Sequence, residues 1–225
     1  AGIGAGHFDV GRQSQTACAV VTLLPSASVV GIVGVGNMGG AMSRRLLHQG
    51  LVVHVHDIDL AKTEALKALG AIVHDSAASI SEQARTIIIC VVDHTQVDQL
   101  LEPKGAPSWW ATLQSGDTVF LCPTLAPDFV ESVASRLRAH GVFTVDAPMS
   151  GGPARAEAGT MSLMVACEDA VFVSQVKLLN TLSSHVFRIG TRVGDGARTK
   201  LVNNLLAGIN LVGAAEIMAL SEHLG

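Results

Sequence analysis

The sequence has no tyrosine, and phenylalanine and tryptophan together supply only 4% of its 225 residues. A core made from such a chain must be aliphatic. With 48% hydrophobic residues and 23 glycines, the composition suits an α/β protein with many tight turns. Charge is scarce too: 15% of residues carry it, which together with the hydrophobic content excludes a disordered chain. No run of Lys and Arg exceeds Arg44-Arg45 and the formal net charge is −4, so the basic face that nucleic acid requires is missing. The four cysteines (Cys18, Cys90, Cys122, Cys167) show neither CxxC nor Cys/His metal spacing. They read as small buried thiols of a reducing compartment, the cytoplasm or alternatively the mitochondrion, with no metal site. Mean hydropathy is high at +0.42. The longest apolar candidate, Leu201–Leu220, is nevertheless interrupted by Asn203, Asn204, Asn210 and Glu216, so no membrane span is expected. Residues Ala1–Ser28 lack the charged start of a secretory signal and are assigned to no domain. They read equally as a tag remnant or as the tail of a preceding domain. The first residue is Ala1, which points to a processed, tagged or excised product.

From Val29 onward an order emerges. Apolar strands are expected at Val29–Val33, Val52–His56, Ala71–Val73, Thr86–Val92, Thr118–Leu121 and Val142–Val145. Helices are expected between them at Asn37–Gln49, Leu60–Leu69, Ser76–Ala84, Thr95–Leu101 and Pro127–His140. Strand alternating with helix predicts a mostly parallel sheet covered on both faces. The rhythm then changes. Gly151-Gly152-Pro153 reads as a loop, Thr160–Ala166 and His185–Ile189 as strands, and Ala170–Leu182 as a helix. A last helix runs from about Ala197 to His223 with apolar residues all around, which predicts that most of its surface is covered, by further chain or by a second subunit.

Three segments carry chemistry. Gly34-Val-Gly36-Asn37-Met38-Gly39 follows a strand, opens a helix and precedes a second strand that ends at Asp57. Glycines at this spacing permit a tight turn and let the backbone approach a pyrophosphate at the helix N-terminus. Asp57 lies near the offset of about 20 residues expected for an acid that bonds an adenosine ribose. These features predict a Rossmann-type, doubly wound domain. No arginine follows Asp57, since Ile58 and Asp59 come next, so NAD is expected over NADP, although Lys62 is close.

The second segment, Asp146-Ala-Pro-Met-Ser150-Gly151-Gly152-Pro, lies just after a strand. The Ser150 hydroxyl and the Gly151 and Gly152 amides form either an ordinary turn or a nest for a carboxylate. The third places Lys200, Asn203 and Asn204 on one face of the last helix. A lysine there is either solvated or, if buried, lowered in pKa and suited to exchange a proton with a substrate hydroxyl.

GIVGVGNMGGAM at Gly31–Met42, DAPMSGGPARAEAGTM at Asp146–Met161 and GDGARTKLVNNLL at Gly194–Leu206, in that order, resemble the β-hydroxyacid dehydrogenase family, which includes 3-hydroxyisobutyrate dehydrogenase. The resemblance implies an NAD-binding Rossmann domain at 29–193, with residues 194–225 opening an all-helical domain that is incomplete here. It also implies Lys200 as catalytic acid/base and Ser150, Gly151, Gly152 and Asn204 as substrate contacts. Val92, Asp93 and Thr124 would then lie along the cofactor with Gly34, Gly36, Asn37, Met38, Gly39 and Asp57. Pro123 departs from the family's usual serine or threonine, which puts one nicotinamide-side hydroxyl in doubt. The implied activity is NAD-dependent oxidation of a small 3-hydroxy acid, and Val91–Val97 most resembles the branch acting on four-carbon sugar acids such as threonate. The alternatives are an NADPH-dependent reductase of aldehyde acids (glyoxylate or succinic semialdehyde) and a non-catalytic dinucleotide-binding module of a larger protein. The implied partners are a small-molecule substrate and either a second copy or the rest of a longer polypeptide, with neither nucleic acid nor membrane.

Overall fold

The computed structural model describes residues 29–105 and 108–225, so Ala1–Ser28, Cys18 included, lies outside the described residues. The first half alternates as its pattern predicts: β1 (Val29–Val33), α1 (Asn37–His48), β2 (Val52–His56), α2 (Leu60–Lys67), β3 (Ile72–Val73) and α3 (Ala77–Ser81). It continues through β4 (Thr86–Ile89), α4 (His94–Leu101), a 3-10 turn at Trp109–Ala111, β5 (Thr118–Leu121), α5 (Pro127–Ala139) and β6 (Phe143–Asp146). Local chemistry marks several of the boundaries. The carboxylates of Asp59 and Asp93 accept from Ala61 N and Gln96 N and so cap α2 and α4, while Pro127 begins α5, where its missing N–H costs nothing.

Six parallel strands stand in the order β3-β2-β1-β4-β5-β6. The chain winds outward from β1 in one direction and from β4 in the other, which opens a crevice at their carboxyl ends. Alternate residues of the central strands serve two separate cores. Ile88 and Phe120 pack with Met42, Leu46 and Leu179 on one face, while Ile87, Ile89 and Leu121 pack with Leu101, Trp109 and Leu137 on the other. The fold is therefore the mostly parallel, Rossmann-like one expected, followed by a long helix.

The second half departs from expectation in several places. The segment Gly151-Gly152-Pro153 is not all loop: after a short strand β7 (Met149–Ser150), α6 (Gly152–Ala158) begins at once, with Pro153 in its first turn. Strand β8 (Ser162–Ala166) runs antiparallel to β6 and β7; α7 (Asp169–Leu182) follows, and β9 (His185–Gly190) pairs parallel to β8. Strand β4 stops at Ile89 instead of Val92, since Cys90 and its successors turn into the crevice.

The last helix, α8 (Asp195–Leu224), starts two residues earlier than its apolar pattern suggests. Only its first turns are seated: Gly196, Ala197 and Lys200 are buried, whereas Leu205, Ile209, Val212, Met218 and Leu220 are exposed. The covering expected for it is not supplied by the described residues. By length and composition alone, α8 is long and apolar enough to cross a membrane, its best 18-residue window averaging a hydropathy of 1.4. Cys122 and Cys167 are buried and Cys90 half-buried, all three free. Among the described residues no cluster of His, Cys, Asp or Glu could hold a metal ion.

Candidate active site

The crevice at the carboxyl ends of β1, β4 and β5 is a cleft of about 460 Å³. Its first wall is the glycine turn between β1 and α1, where each glycine answers a different demand. Gly34 has φ +87°, and a Cβ there would stand 2.7 Å from the Cys90 carbonyl oxygen. At Gly39 a Cβ would stand 1.9 Å from the Gly34 carbonyl oxygen, so the turn can close on α1 only without a side chain. Gly36 is unlike both. A Cβ there would meet no atom within 4 Å, so the protein itself does not require glycine. The space in front of Gly36 belongs to the cleft, beside Asn37 and Met38 and the uncapped N-terminus of α1. A cradle that one methyl group would fill, backed by free amides and a helix dipole, fits a dinucleotide pyrophosphate.

Asp57 is half-buried at the end of β2. Its Oδ2 accepts from Val35 N at 2.7 Å and its Oδ1 from Asp59 N at 2.9 Å. The carboxylate thus ties the second strand to the glycine turn, with lone pairs left for hydroxyl groups. Lys62, the cation near it in sequence, is paired with Asp59 at 3.3 Å, and Ile58 is 90% exposed.

The far wall comes from later elements. Val92 lines the cleft after β4, and its N–H is held by Gln96 Oε1 at 3.0 Å. Thr124 lines it after β5, next to buried Pro123. Met149, Ser150, Gly151 and Gly152 close one end, with Gly151 at φ +126° and Gly152 at φ +77°. Opposite them, α8 contributes Lys200 and Asn204. Lys200 is only 9% exposed, and its ammonium has no hydrogen-bond or ion-pair partner among the described residues. Burial pushes its pKa below the ordinary lysine value. Of the two open readings of this lysine, its burial and lowered pKa favour the second.

Ten of the residues singled out from the sequence therefore share one cleft: Gly36, Asn37, Met38, Val92, Thr124, Ser150, Gly151, Gly152, Lys200 and Asn204. Four do not line it. Gly34 and Gly39 shape the turn from behind, Asp57 stands beyond it at the strand end, and Asp93 caps α4 through Gln96 N at 2.9 Å. Asn203 does not line the cleft either; its amide makes a long 3.5 Å contact to Asn204. Sequence reading missed Cys90 and Cys122, which lie in the cleft at the ends of β4 and β5. Their place directly after two central strands was the available signal. Burial holds both thiols protonated, Cys90 at about 12 and Cys122 well above the usual thiol range.

The comparisons agree with this geometry. Residues 29–190 match the family described as the NAD binding domain of 6-phosphogluconate dehydrogenase. An L-threonate dehydrogenase of Pectobacterium atrosepticum is 32% identical over 193 residues, which cover 85% of this chain and 63% of the relative. The crystal structure of a 3-hydroxyisobutyrate dehydrogenase from Salmonella typhimurium superposes with a TM-score of 0.79 at 32% identity, over 88% of this chain and 68% of that one. A second solved structure, Psf3 in complex with NADP+ and 2-OPP, gives 0.80 at 30% identity over 87% and 68%. The chain spans between 63% and 65% of the length of the L-threonate dehydrogenases that it matches first. Glycine turn, cleft and relatives together establish that this chain belongs to the β-hydroxyacid dehydrogenase family, through the nicotinamide-dinucleotide-binding domain shared with 6-phosphogluconate dehydrogenase.

Proposed function

We propose that the protein oxidises a small 3-hydroxy acid with NAD, using Lys200 as the acid/base. One observation carries this reading: a buried lysine without a partner opens into the same cleft as the dinucleotide-type glycine turn. A lysine so placed, largely buried and facing the cleft, is positioned to take a ligand as its polar partner.

When bound, NAD supplies the hydride acceptor. The turn at Gly34–Gly39 would hold its pyrophosphate and Asp57 its adenosine ribose, with Val92, Asp93 and Thr124 along its length. The chain's own residues do the rest. Ser150 Oγ and the amides of Gly151 and Gly152, presented by left-handed glycines, hold the substrate carboxylate. Asn204, one helical turn past Lys200, orients the hydroxyl. Lys200 in its neutral form takes the hydroxyl proton as the carbon beneath it is oxidised; in the reverse direction the ammonium returns that proton. The lowered pKa of Lys200 supports this role, because an amine near its ordinary value would be fully protonated at neutral pH.

Asp57 favours NAD over NADP, since a carboxylate at that site repels a 2′-phosphate, and Lys62 is already paired with Asp59. The NADP+ named with a relative keeps the second cofactor in the test. The Val91–Val97 stretch, with the L-threonate dehydrogenase relatives, favours a four-carbon sugar acid as substrate. We divide the chain at Val193, with the dinucleotide-binding domain before it and α8 opening a second, helical one. The exposed apolar surface of α8 supports assembly with further chain or a second copy. The test is to titrate the intact protein with NAD and NADP, then to follow NADH formation across threonate, 3-hydroxyisobutyrate and related 3-hydroxy acids. Turnover with one of them supports the reading; tight NAD binding without turnover across the panel replaces it with a non-catalytic binding module.

A further inference from the structure

Helix α8 has a deficiency at its start. Its N-cap residue is Gly194, at φ +102°, which has no side chain to offer the orphan amides of the first turn. The acceptor comes from elsewhere in the fold. Asp146, at the end of β6, accepts from Gly194 N at 2.8 Å and from Ala197 N at 3.0 Å, across 48 and 51 residues of chain. It is 1% exposed and has no cationic partner among the described residues; the backbone amides and the positive end of the helix favour its charge, while the Asp195 carboxylate opposes it. The docking is tight. A Cβ on Gly196 would stand 2.9 Å from both Asp146 Cγ and Oδ2, and 2.7 Å from the Met164 carbonyl oxygen.

We infer that Asp146 is a positioning residue for Lys200, its carboxylate gripping the amino end of α8 and so setting where the lysine stands in the cleft. The inference rests on the proposed role of Lys200 and deepens it. Gly196, Ala197 and Lys200 are the only buried positions of α8, and they form one stripe at helical spacing. Of the two amides that Asp146 holds, that of Ala197 belongs to this stripe, one turn before the lysine, and that of Gly194 lies at the N-cap, six residues before it. Each residue of slip would rotate the helix by about 100° and move it about 1.5 Å along its axis, enough to take the ammonium out of the cleft.

A second clasp exists on the outer side, where Glu131 of α5 accepts from Arg192 at 3.0 Å and Arg198 at 2.7 Å. Those groups are partly exposed, and water screens them. The buried, charge-assisted grip of Asp146 is the one that can hold register. Burial raises its pKa to about 6, against the pull of the amide donors, so it is ionised at neutral pH. The titratable groups nearest to it are Cys122, Cys167 and Asp195. Asp146 does not line the cleft, so its loss leaves the dinucleotide surface intact.

The test compares Asp146→Ala, Asp146→Asn and Gly196→Ala in the intact protein. Three quantities are read: the Kd for NAD, kcat and KM for the hydroxy acid, and the pH dependence of Lys200 acetylation by acetic anhydride, quantified by mass spectrometry. For Asp146→Ala the expected result is an unchanged Kd for NAD, a kcat lower by about 10²-fold, the size of effect that follows a misplaced catalytic group, and a Lys200 titration moved up toward that of a solvated lysine. Asp146→Asn, whose carbonyl oxygen still accepts from the amides, recovers part of both losses. Gly196→Ala, which pushes the helix off the carboxylate, reproduces them and serves if Asp146→Ala does not fold. Unchanged kcat with an unchanged Lys200 titration overturns the inference, and so does a parallel loss of NAD binding. Lys200→Ala separates the two ideas. If it turns over normally the acid/base reading fails, while the acetylation profile still decides whether Asp146 positions the lysine.

Discussion

The Asp57 carboxylate accepts a hydrogen bond from the backbone N–H of Val35 at 2.7 Å, joining the end of the second strand to the middle of the glycine turn. One side chain thus shapes the turn and, in the proposed cofactor pose, would offer its remaining lone pairs to the ribose. Bonds to a charged acceptor are worth about 1.5–3 kcal/mol. Asp57→Ala is expected to weaken NAD binding by about tenfold or more, since about 1.4 kcal/mol corresponds to each factor of ten. The double change Asp57→Ala with Ile58→Arg is expected to reverse the preference toward NADP. Fluorescence titrations with both dinucleotides measure this; equal NAD affinity in Asp57→Ala removes the ribose role.

Two glycines five positions or fewer from Val35 are predicted to behave oppositely. Gly39→Ala forces a Cβ to within 1.9 Å of a carbonyl oxygen, so it is expected to lower stability by at least about 1–3 kcal/mol, the cost of overpacking a tight core. Gly36→Ala meets nothing in the protein and is expected to leave the thermal midpoint unchanged while reducing NAD affinity at least about tenfold, through loss of close backbone approach. Thermal melts with and without NAD distinguish the cases: the Gly36 variant melts normally but loses its ligand-induced rise.

The proposed role of Lys200 predicts a pH dependence. Its pKa is lowered by burial, so the neutral amine needed for oxidation accumulates below the ordinary lysine range. The rate of hydroxy-acid oxidation should rise with pH through a limb centred below 10.5, and the reverse reduction should fall through the same limb. The linkage to stability has a definite sign. The folded state binds this proton more weakly than the unfolded chain, so the lysine opposes folding at low pH, and that opposition fades as pH rises from the folded pKa toward 10.5. Lys200→Met, which keeps the stem without the charge, should lose the limb and unfold at a higher denaturant concentration at pH 7. A limb that persists in Lys200→Met belongs to another group.

The described thiols should be inert. Cys90 and Cys167 are pushed up to about 12 and Cys122 well above its usual range, so thiolate is negligible at neutral pH. Iodoacetamide at pH 7.5 is expected to leave the peptides carrying these residues unmodified in native protein and to modify them fully in denaturant. Rapid native labelling of Cys90, the least buried of the three, would show an accessible thiolate in the cleft and overturn this expectation.

Much of the first half was legible because its signals are local. A run such as Ile87-Ile88-Ile89 suits a strand buried on both faces, and Asp59, Asp93 and Pro127 mark helix starts by chemistry that acts within a turn. The glycine turn, too, declared its conformation through Gly34 and Gly39, where any side chain would collide with a carbonyl oxygen. Where the local signals were mixed, the reading faltered. Gly151-Gly152-Pro153 looks like a loop, yet a glycine at positive φ followed by a first-turn proline also starts a helix, and α6 takes that option.

What amino-acid order determined alone was the alternation of strand and helix, the phosphate-type turn, and a lysine with two asparagines on one helical face, since each depends on groups a few residues apart. The folded arrangement decided which of these mattered. It buried Lys200 against the sheet, turned Asn204 but not Asn203 into the cleft, and brought Asp146 to the amino end of α8 from 48 residues away. No periodicity encodes those outcomes, because burial and long-range hydrogen bonds come into being only when separate elements pack, and it is packing that strips water from an ammonium and changes what it can do.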